Sequence, residues 1–281
     1  MTRIAVVGSY GVGLTFGVER TPERGETVIG TLFRRDHGGK GSNQAVGAAR
    51  LGAEVALLTA VGEDAFGAEA FGLWAEENVD AAAVRREPFP TMTAAILVER
   101  SGDNRIVVVP GALSALNPEH VDAFADRIAA ADVLLVQLEI PVETALRALE
   151  VGRAAGVRTV LNPAPAPAET IAPAADYLTP NESEAFAVEG AEGTLVVTLG
   201  EQGAKLGGTH VPAFAARPVD TTGAGDAFCA AFAVALAEGA DDVEAVRWGC
   251  AAGAHMVEHD GVIPGLPTRA ELERRLAVTA A

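Results

Sequence analysis

The amino-acid sequence predicts an α/β fold of three layers: a mostly parallel central sheet, helices on both of its faces, and a small second sheet. Three observations carry that prediction. Short apolar runs of strand length recur along the chain, Ala-rich segments of helix length separate them, and two turn-punctuated stretches break the alternation. Strands alternating with helices at this spacing build right-handed βαβ crossovers, and these bury a parallel sheet on both faces. Ligands of such sheets sit at the carboxyl ends of the strands.

The first strand is Ile4-Ala5-Val6-Val7, which ends at Gly8-Ser9. Similar runs recur at 55–59, 133–137, 159–161 and 195–198, with helices expected at 42–52, 64–77, 118–130, 142–155 and 226–238. The first interruption, 14–33, is β-rich around Thr27-Val28-Ile29-Gly30. The second, 91–109, reads as a hairpin turning at Ser101-Gly102-Asp103-Asn104. Together they are expected to form a small β-sheet lid on a single domain spanning 1–281, with an exposed face that favours a homodimer. The proline-rich stretch 162–173 reads as a rigid surface loop. A last helix is expected around 268–277, ending in an Ala-rich tail that frays.

Composition excludes several function classes. With 21 Lys and Arg against 38 Asp and Glu, the formal charge is −17. Such a surface repels polyphosphate chains, so no nucleic-acid partner is expected. Apolar residues make up 49% of the 281 positions, enough for a sizeable core. No run approaches the ~18 apolar residues of a membrane span, and the N-terminus enters a strand directly, so the cytoplasm is the expected location. Cys229 and Cys250 read as free buried thiols. The histidines show no zinc-ligand spacing. No Gly-x-Ser-x-Gly elbow is present.

Four motifs carry chemistry. In Asp220-Thr221-Thr222-Gly223-Ala224-Gly225-Asp226, a strand-like start gives way to glycines and then to a helical pattern. The first-turn N–H groups of that helix, with its dipole, suit an anion, and the glycines let a phosphate approach. Asp226 is there either a general base for a hydroxyl or simply an N-terminal helix charge. Gly38-Gly39-Lys40-Gly41-Ser42-Asn43 enters another helix and lacks Walker A spacing. Either it offers Lys40 and Asn43 to a ligand, or it is a tight strand-to-helix turn. In Thr179-Pro180-Asn181-Glu182-Ser183-Glu184, Asn181 and Glu184 make a capping box or hold waters of a magnesium ion. Thr198-Leu199-Gly200-Glu201-Gln202-Gly203 is a strand and two-glycine loop suited to a nucleotide, as many β-turns also are. Gly8, Gly11, Gly13 and Gly17 do not make a dinucleotide fingerprint, because they do not lead into a helix.

In order along the chain, these motifs resemble the ribokinase-like (PfkB) carbohydrate kinases, and the ribokinase pattern is matched most fully. The likeness also takes in Gly25-Glu26-Thr27-Val28, Gln137-Leu138-Glu139 and Leu161-Asn162-Pro163. It implies ATP-dependent phosphorylation of a hydroxymethyl group on a small sugar or polyol, with Mg²⁺ on the phosphates. It places Asp226 as catalytic base and Gly223, Ala224 and Gly225 as the anion hole. Asn181 and Glu184 fall at phosphate and magnesium positions, and Thr198, Gly200 and Gly203 at the nucleotide loop. Gly38, Gly39, Lys40, Asn43 and Glu139 fall at the sugar. A potassium-type cation is expected near Asp220, Thr222 and the loop 257–265. A nucleoside kinase of the same superfamily and a silent binding protein on this fold are the alternative readings.

The chain departs from the family pattern in three places. It has Gly11-Val12-Gly13 where the family carries Asn-x-Asp. The lost carboxylate would grip two vicinal hydroxyls of a ribose-like ligand, with Asp36 or His37 the candidates to stand in for it. About ten residues separate Glu184 from the strand at Leu195, where the family has a further helix. The loop 259–265 also diverges from the family in detail.

Overall fold

The computed structural model describes residues 1–278, so the expected fraying of the final residues lies outside the described part. A nine-stranded central sheet is built from β1 (Arg3–Val7), β4 (Glu54–Leu58), β6 (Val79–Asp80), β10 (Val133–Gln137), β11 (Arg158–Asn162), β12 (Ala174–Leu178), β13 (Glu192–Thr198), β14 (Ala204–Leu206) and β15 (Thr209–Val211). Its order is β15-β14-β13-β12-β11-β10-β1-β4-β6. Every pairing from β6 to β13 is parallel, and β14 and β15 add an antiparallel hairpin at the far edge. A second sheet has four strands, β2 (Gly11–Val18), β3 (Leu32–Gly38), β8 (Met92–Glu99) and β9 (Asn104–Val109), in the order β3-β2-β8-β9. A third, two-stranded sheet pairs β5 (Ala60–Gly62) with β7 (Arg85–Glu87).

The helices are α1 (Lys40–Arg50), α2 (Ala65–Glu76), α3 (Pro118–Ala123), α4 (Ala125–Ala129), α5 (Val142–Ala154), α6 (Ala224–Ala237), α7 (Asp242–Met256), α8 (Val262–Gly265) and α9 (Arg269–Leu276). Side chains alternate along a strand, and β1 divides the core accordingly. Ile4 and Val6 pack with α1, α6 and α7 in one apolar cluster. Ala5 and Val7 point the other way, into the cluster of α3, α4 and α5. Central strands buried on both faces read as unbroken apolar runs, as in Val133-Leu134-Leu135-Val136.

The expected fold is present, with boundary corrections. Thr27–Gly30 forms no strand; its β-branched residues find no strand partner among the described residues, Ile29 is 87% exposed, and the strands lie on either side. The helix α7 and strand β12 add to the elements expected from the sequence. The segment after Glu184 is a single 3-10 turn, Ala185–Val188, so that face of the sheet is shortened as expected. The proline-rich 162–173 is a loop, and Cys229 and Cys250 are free and buried.

β1 has β10 on one side and β4 on the other, so the chain winds outward from it in both directions. The crevice that such a reversal opens lies at the carboxyl ends of the strands. Ser9, Glu139, Asn162, Thr179 and Thr198 stand there, at or just beyond the ends of β1, β10, β11, β12 and β13.

Candidate active site

Two helix N-termini meet over that crevice. Gly223 caps α6 in the left-handed region at φ +80°, where glycine alone is unstrained, so the chain turns sharply into the helix. Gly39 does the same for α1 at φ +89°, and a Cβ on it would lie 2.5 Å from the Tyr10 Cα. The β3–α1 loop is thereby pressed onto the turn after β1.

This meeting brings Asp226, in the first turn of α6, against Asn43 and Gln44 of α1. Asn43 donates from Nδ2 to Asp226 Oδ2 at 2.8 Å, and Gln44 donates from Nε2 to Asp226 Oδ1 at 3.1 Å. Asp226 is 5% exposed. Behind it, Gln44 Oε1 accepts from Gln137 Nε2 at 2.6 Å, and Gln44 Nε2 also reaches Asn162 Oδ1 at 3.3 Å. Asn162 is itself fixed by donating to the Thr179 carbonyl at 2.9 Å. Asn43 Oδ1 is buried with no partner among the described residues, an acceptor available to a ligand hydroxyl.

Burial pushes the Asp226 carboxyl above the ordinary aspartate range. The Lys40 charge and the Asn43 and Gln44 hydrogen bonds oppose that rise without cancelling it. Burial works in the opposite sense on Lys40, lowering it, but the carboxylates of Asp226, Glu139 and Glu184 outweigh burial and hold it raised and charged. Glu139 Oε2 accepts the Lys40 backbone N–H at 2.8 Å and the Ser9 hydroxyl at 2.5 Å. One positive charge thus stands among three carboxylates, one of them in the first turn of α6.

Asn181 and Glu184 form the reciprocal capping pair. Glu184 N–H donates to Asn181 Oδ1 at 2.9 Å, and Asn181 N–H donates to Glu184 Oε2 at 3.0 Å. The pair closes the turn that leads into a short 3-10 helix, Ala185–Val188, whose own N-cap Glu184 makes no side-chain capping bond. Thr198 pairs beside Asn181, its N–H donating to the Pro180 carbonyl at 2.9 Å, so these two candidates adjoin. Gly200 opens the turn after β13. At Gly203 a Cβ would fall 2.1 Å from the Val211 carbonyl, so the fold itself requires glycine there.

The small sheet faces the crevice with alternate residues. Across the register Gly13↔Asp36 and Gly13↔Ala94, one face carries Gly11, Gly13, Arg34, Asp36, Met92 and Ile96. A Cβ at Gly13 would meet nothing nearer than Ile96 Cδ1 at 3.6 Å, whereas one at Gly11 would fall 2.4 Å from Met92 Cε. Of the two residues expected to replace the missing carboxylate, Asp36 stands directly opposite Gly13, with its Oδ2 held by Arg34 Nε at 2.6 Å. His37 points to the other face, where its Nδ1 meets the Tyr10 hydroxyl at 2.8 Å.

Asp220 and Thr222 lie just ahead of the α6 cap. The Thr222 N–H donates to Asp220 Oδ1 at 2.9 Å, and the Arg34 guanidinium faces the other carboxylate oxygen. Motifs read one by one do not disclose Gln44, Ser9 and Arg34 as site residues, and they give no role to Gln137 or Asn162. Gln137 leaves a usable sign, an amide ending the otherwise apolar, fully buried run of β10.

A helix N-terminus for anions, a buried carboxylate beside it and a glycine-lined crevice under a small sheet define a phosphotransferase acting on a small hydroxylated molecule. The sequence pattern of the pfkB family carbohydrate kinases matches residues 1–269, and the chain belongs to that family. It is similar to ribokinase of Bacillus subtilis strain 168, with 40% identity over 99% of this chain and 100% of the relative. Among solved structures it is similar to ribokinase from Thermotoga maritima (TM-score 0.87, 33% identity, 99% of this chain and 100% of the other). It is equally similar to Arabidopsis thaliana ribokinase complexed with ribose and ATP (TM-score 0.87, 29% identity, 99% and 100%). The protein is an ATP-dependent carbohydrate kinase.

Proposed function

We propose that this kinase phosphorylates a hydroxymethyl group of a small sugar or polyol, with Asp226 as the general base. The observation that carries the reading is the Asp226 carboxylate, buried at the start of α6 and held on both oxygens by Asn43 and Gln44. A hydroxyl placed against it gives up its proton as its oxygen attacks the terminal phosphate of ATP. The N–H groups of Gly223, Ala224 and Gly225, with the helix dipole, stabilise the charge on the transferred group. Lys40 adds a positive charge at the same end. Gly38, Gly39, Asn43 and Glu139 line the sugar, and Asn181, Thr198, Gly200 and Gly203 line the nucleotide. General-base help of this kind is worth roughly 10²–10⁴-fold.

Magnesium fits the residues present. Glu184 spends Oε2 on the Asn181 N–H, which leaves a carboxylate oxygen for a metal-bound water. Mg²⁺ binds through one or two carboxylates and substrate phosphates and keeps several waters, so no all-protein cage is needed. When bound it neutralises phosphate charge. The two buried thiols suit a reducing compartment, and we place the protein in the cytoplasm. The small sheet acts as the lid that excludes water. Its outer face, with Phe33 and Val107 more than 60% exposed, is the proposed homodimer contact.

An ATP-consumption screen with Mg²⁺ across pentoses, hexoses, polyols and nucleosides tests this reading. Turnover is expected with a sugar or polyol. Turnover confined to nucleosides would assign the open space at Gly13 to a base and overturn the substrate class. Ligand binding without any turnover would make the chain a silent binder.

A further inference from the structure

The loop ahead of α6 contains an unusual cation: a side chain from the small sheet. Arg34 lies on β3 and reaches across to the body of the protein. Its Nε donates to Asp36 on the same strand at 2.6 Å, its Nη1 pairs with Asp260, and its Nη2 stands 3.9 Å from Asp220 Oδ2. One guanidinium therefore touches or faces three carboxylates from three separate segments. Two of those segments border the anion site directly. Asp220 is three residues before the α6 cap, and Asp260 precedes Gly261, which caps α8. A Cβ on Gly223 would fall 2.7 Å from Val262 Cγ1, so the α8 turn is packed against the α6 cap itself.

This is the place where a potassium-type cation was expected, and the donor set does not suit one. Such an ion replaces its water with a shell of carbonyl and carboxylate oxygens. Asp220 Oδ1 accepts the Thr222 N–H, and its Oδ2 faces the guanidinium, so the carboxylate already stands against a fixed positive charge. The Val257 carbonyl, from the loop expected to supply ligands, accepts the N–H groups of Val219 and Asp220 at 2.6 and 3.3 Å. A second cation at Asp220 would also stand against a fixed positive charge, and an arginine cannot be deprotonated to make room.

We propose that Arg34 is the built-in cation of this loop, and that the kinase has no monovalent-ion requirement. Resting on the reading of Gly223–Asp226 as the phosphate end, the guanidinium neutralises Asp220 and Asp260 and fixes the loop carrying the α6 cap. Because Arg34 rides on β3, it also ties the position of the small sheet to the order of the anion site. A free ion could do the first of these and not the second. A lysine could not do the same, because its single ammonium lacks the planar fork that addresses several carboxylates at once.

Two measurements on the intact protein test this. Initial rates are taken with Mg²⁺ and ATP in potassium, sodium and tetramethylammonium chloride at constant ionic strength. Melting temperatures are taken in the same three salts without substrate. The wild type is expected to keep kcat/KM within about twofold and to show no potassium-specific stabilisation, since only an ion bound to the native state raises stability by mass action. A potassium requirement of about tenfold or more, or a potassium-specific rise in melting temperature, overturns the proposal. Arg34→Gln is expected to lose at least about tenfold in kcat/KM and to recover part of it in potassium alone, with a new potassium-specific melting shift. An Arg34→Gln enzyme that turns over like the wild type in tetramethylammonium also overturns it. Absence of turnover with every sugar in every salt counts against the kinase reading. In that case the melting comparison decides the Arg34 proposal by itself.

Discussion

Gln44 holds the Asp226 carboxylate from behind: its Nε2 donates to Asp226 Oδ1 at 3.1 Å while its own Oε1 is locked by Gln137 at 2.6 Å. A hydrogen bond to the ionised form favours ionisation, and it works here against the burial that raises the pKa. Removing it therefore raises the Asp226 pKa further. The base is active only when ionised, so Gln44→Leu is expected to move the acid limb of the kcat profile to higher pH. Activity falls most at mildly acidic pH and recovers as pH rises, with KM for the sugar little changed because Gln44 lies behind the base. An unshifted profile scaled down by one factor would leave Gln44 a packing role only.

Replacing the base itself separates catalysis from stability. Asp226→Asn is expected to lower kcat by at least ~10²-fold, the usual worth of a general base. It is also expected to raise the melting temperature at neutral pH. The native pKa of Asp226 lies above its unfolded value, so the native state binds more protons in the interval between them. That part of the stability is present below the unfolded pKa and lost as pH rises through the native one. Once ionised, the wild-type side chain carries the penalty of a buried charge, net of the help from Lys40 and the Asn43 and Gln44 hydrogen bonds, and the amide removes it. Asn43, whose Oδ1 has no partner among the described residues, can turn its amide to match the new donor. Melting curves of both proteins from pH 7 downward should show the advantage of the variant shrinking. An equal or lower melting temperature at neutral pH refutes the burial argument.

The same pair marks how far the sequence alone can be read. Asp226, Asn43 and the Gly38 and Gly223 loops are legible because glycines next to polar residues at a helix start serve few purposes besides ligand binding and tight turns. Gln44 is not, since an amide in an Ala-rich helix gains meaning only when a residue 182 positions away is brought to it. The α7 helix is hard to see although Asp241 caps it by accepting the Glu244 N–H at 2.9 Å, because Gly249 and Gly253 dilute its apolar pattern. The opposite error arises at Thr27–Gly30, where β-branched residues suggest a strand that no neighbour pairs. Local propensity is a weak prior against tertiary context.

The sugar end makes a paired prediction. Gly13→Asp has room, with Ile96 Cδ1 the nearest atom at 3.6 Å, and it restores a carboxylate for vicinal hydroxyls. It is expected to raise kcat/KM for ribose, with the gain mostly in KM. Gly11→Asn meets Met92 at 2.4 Å from Cε and 2.9 Å from the backbone oxygen, so the strands must part. Overpacking of this kind costs roughly 1–3 kcal/mol, and a lowered melting temperature without a gain for ribose is the expected result. If Gly13→Asp leaves ribose kinetics unchanged, the missing carboxylate does not limit substrate choice.

The outer face of the small sheet gives the last prediction. Residues directly opposite in a sheet share a face, and the registers Phe16↔Phe33, Phe16↔Leu97 and Ala95↔Val107 place these side chains away from Gly13 and Arg34. Phe16 and Phe33 already pack as a tilted pair with centroids 5.3 Å apart, and Phe33 is still 62% and Val107 66% exposed. A second copy covering this face would remove that apolar surface from water. Sedimentation velocity is expected to show a dimer for the wild type and a monomer for Phe33→Glu combined with Val107→Glu, since two buried carboxylates without partners cannot be accommodated in an apolar contact. The charges face away from the crevice, so any loss of turnover in the variant measures how far dimerisation holds the small sheet in place over the site. A wild type that sediments as a monomer at micromolar concentration removes this face from the assembly.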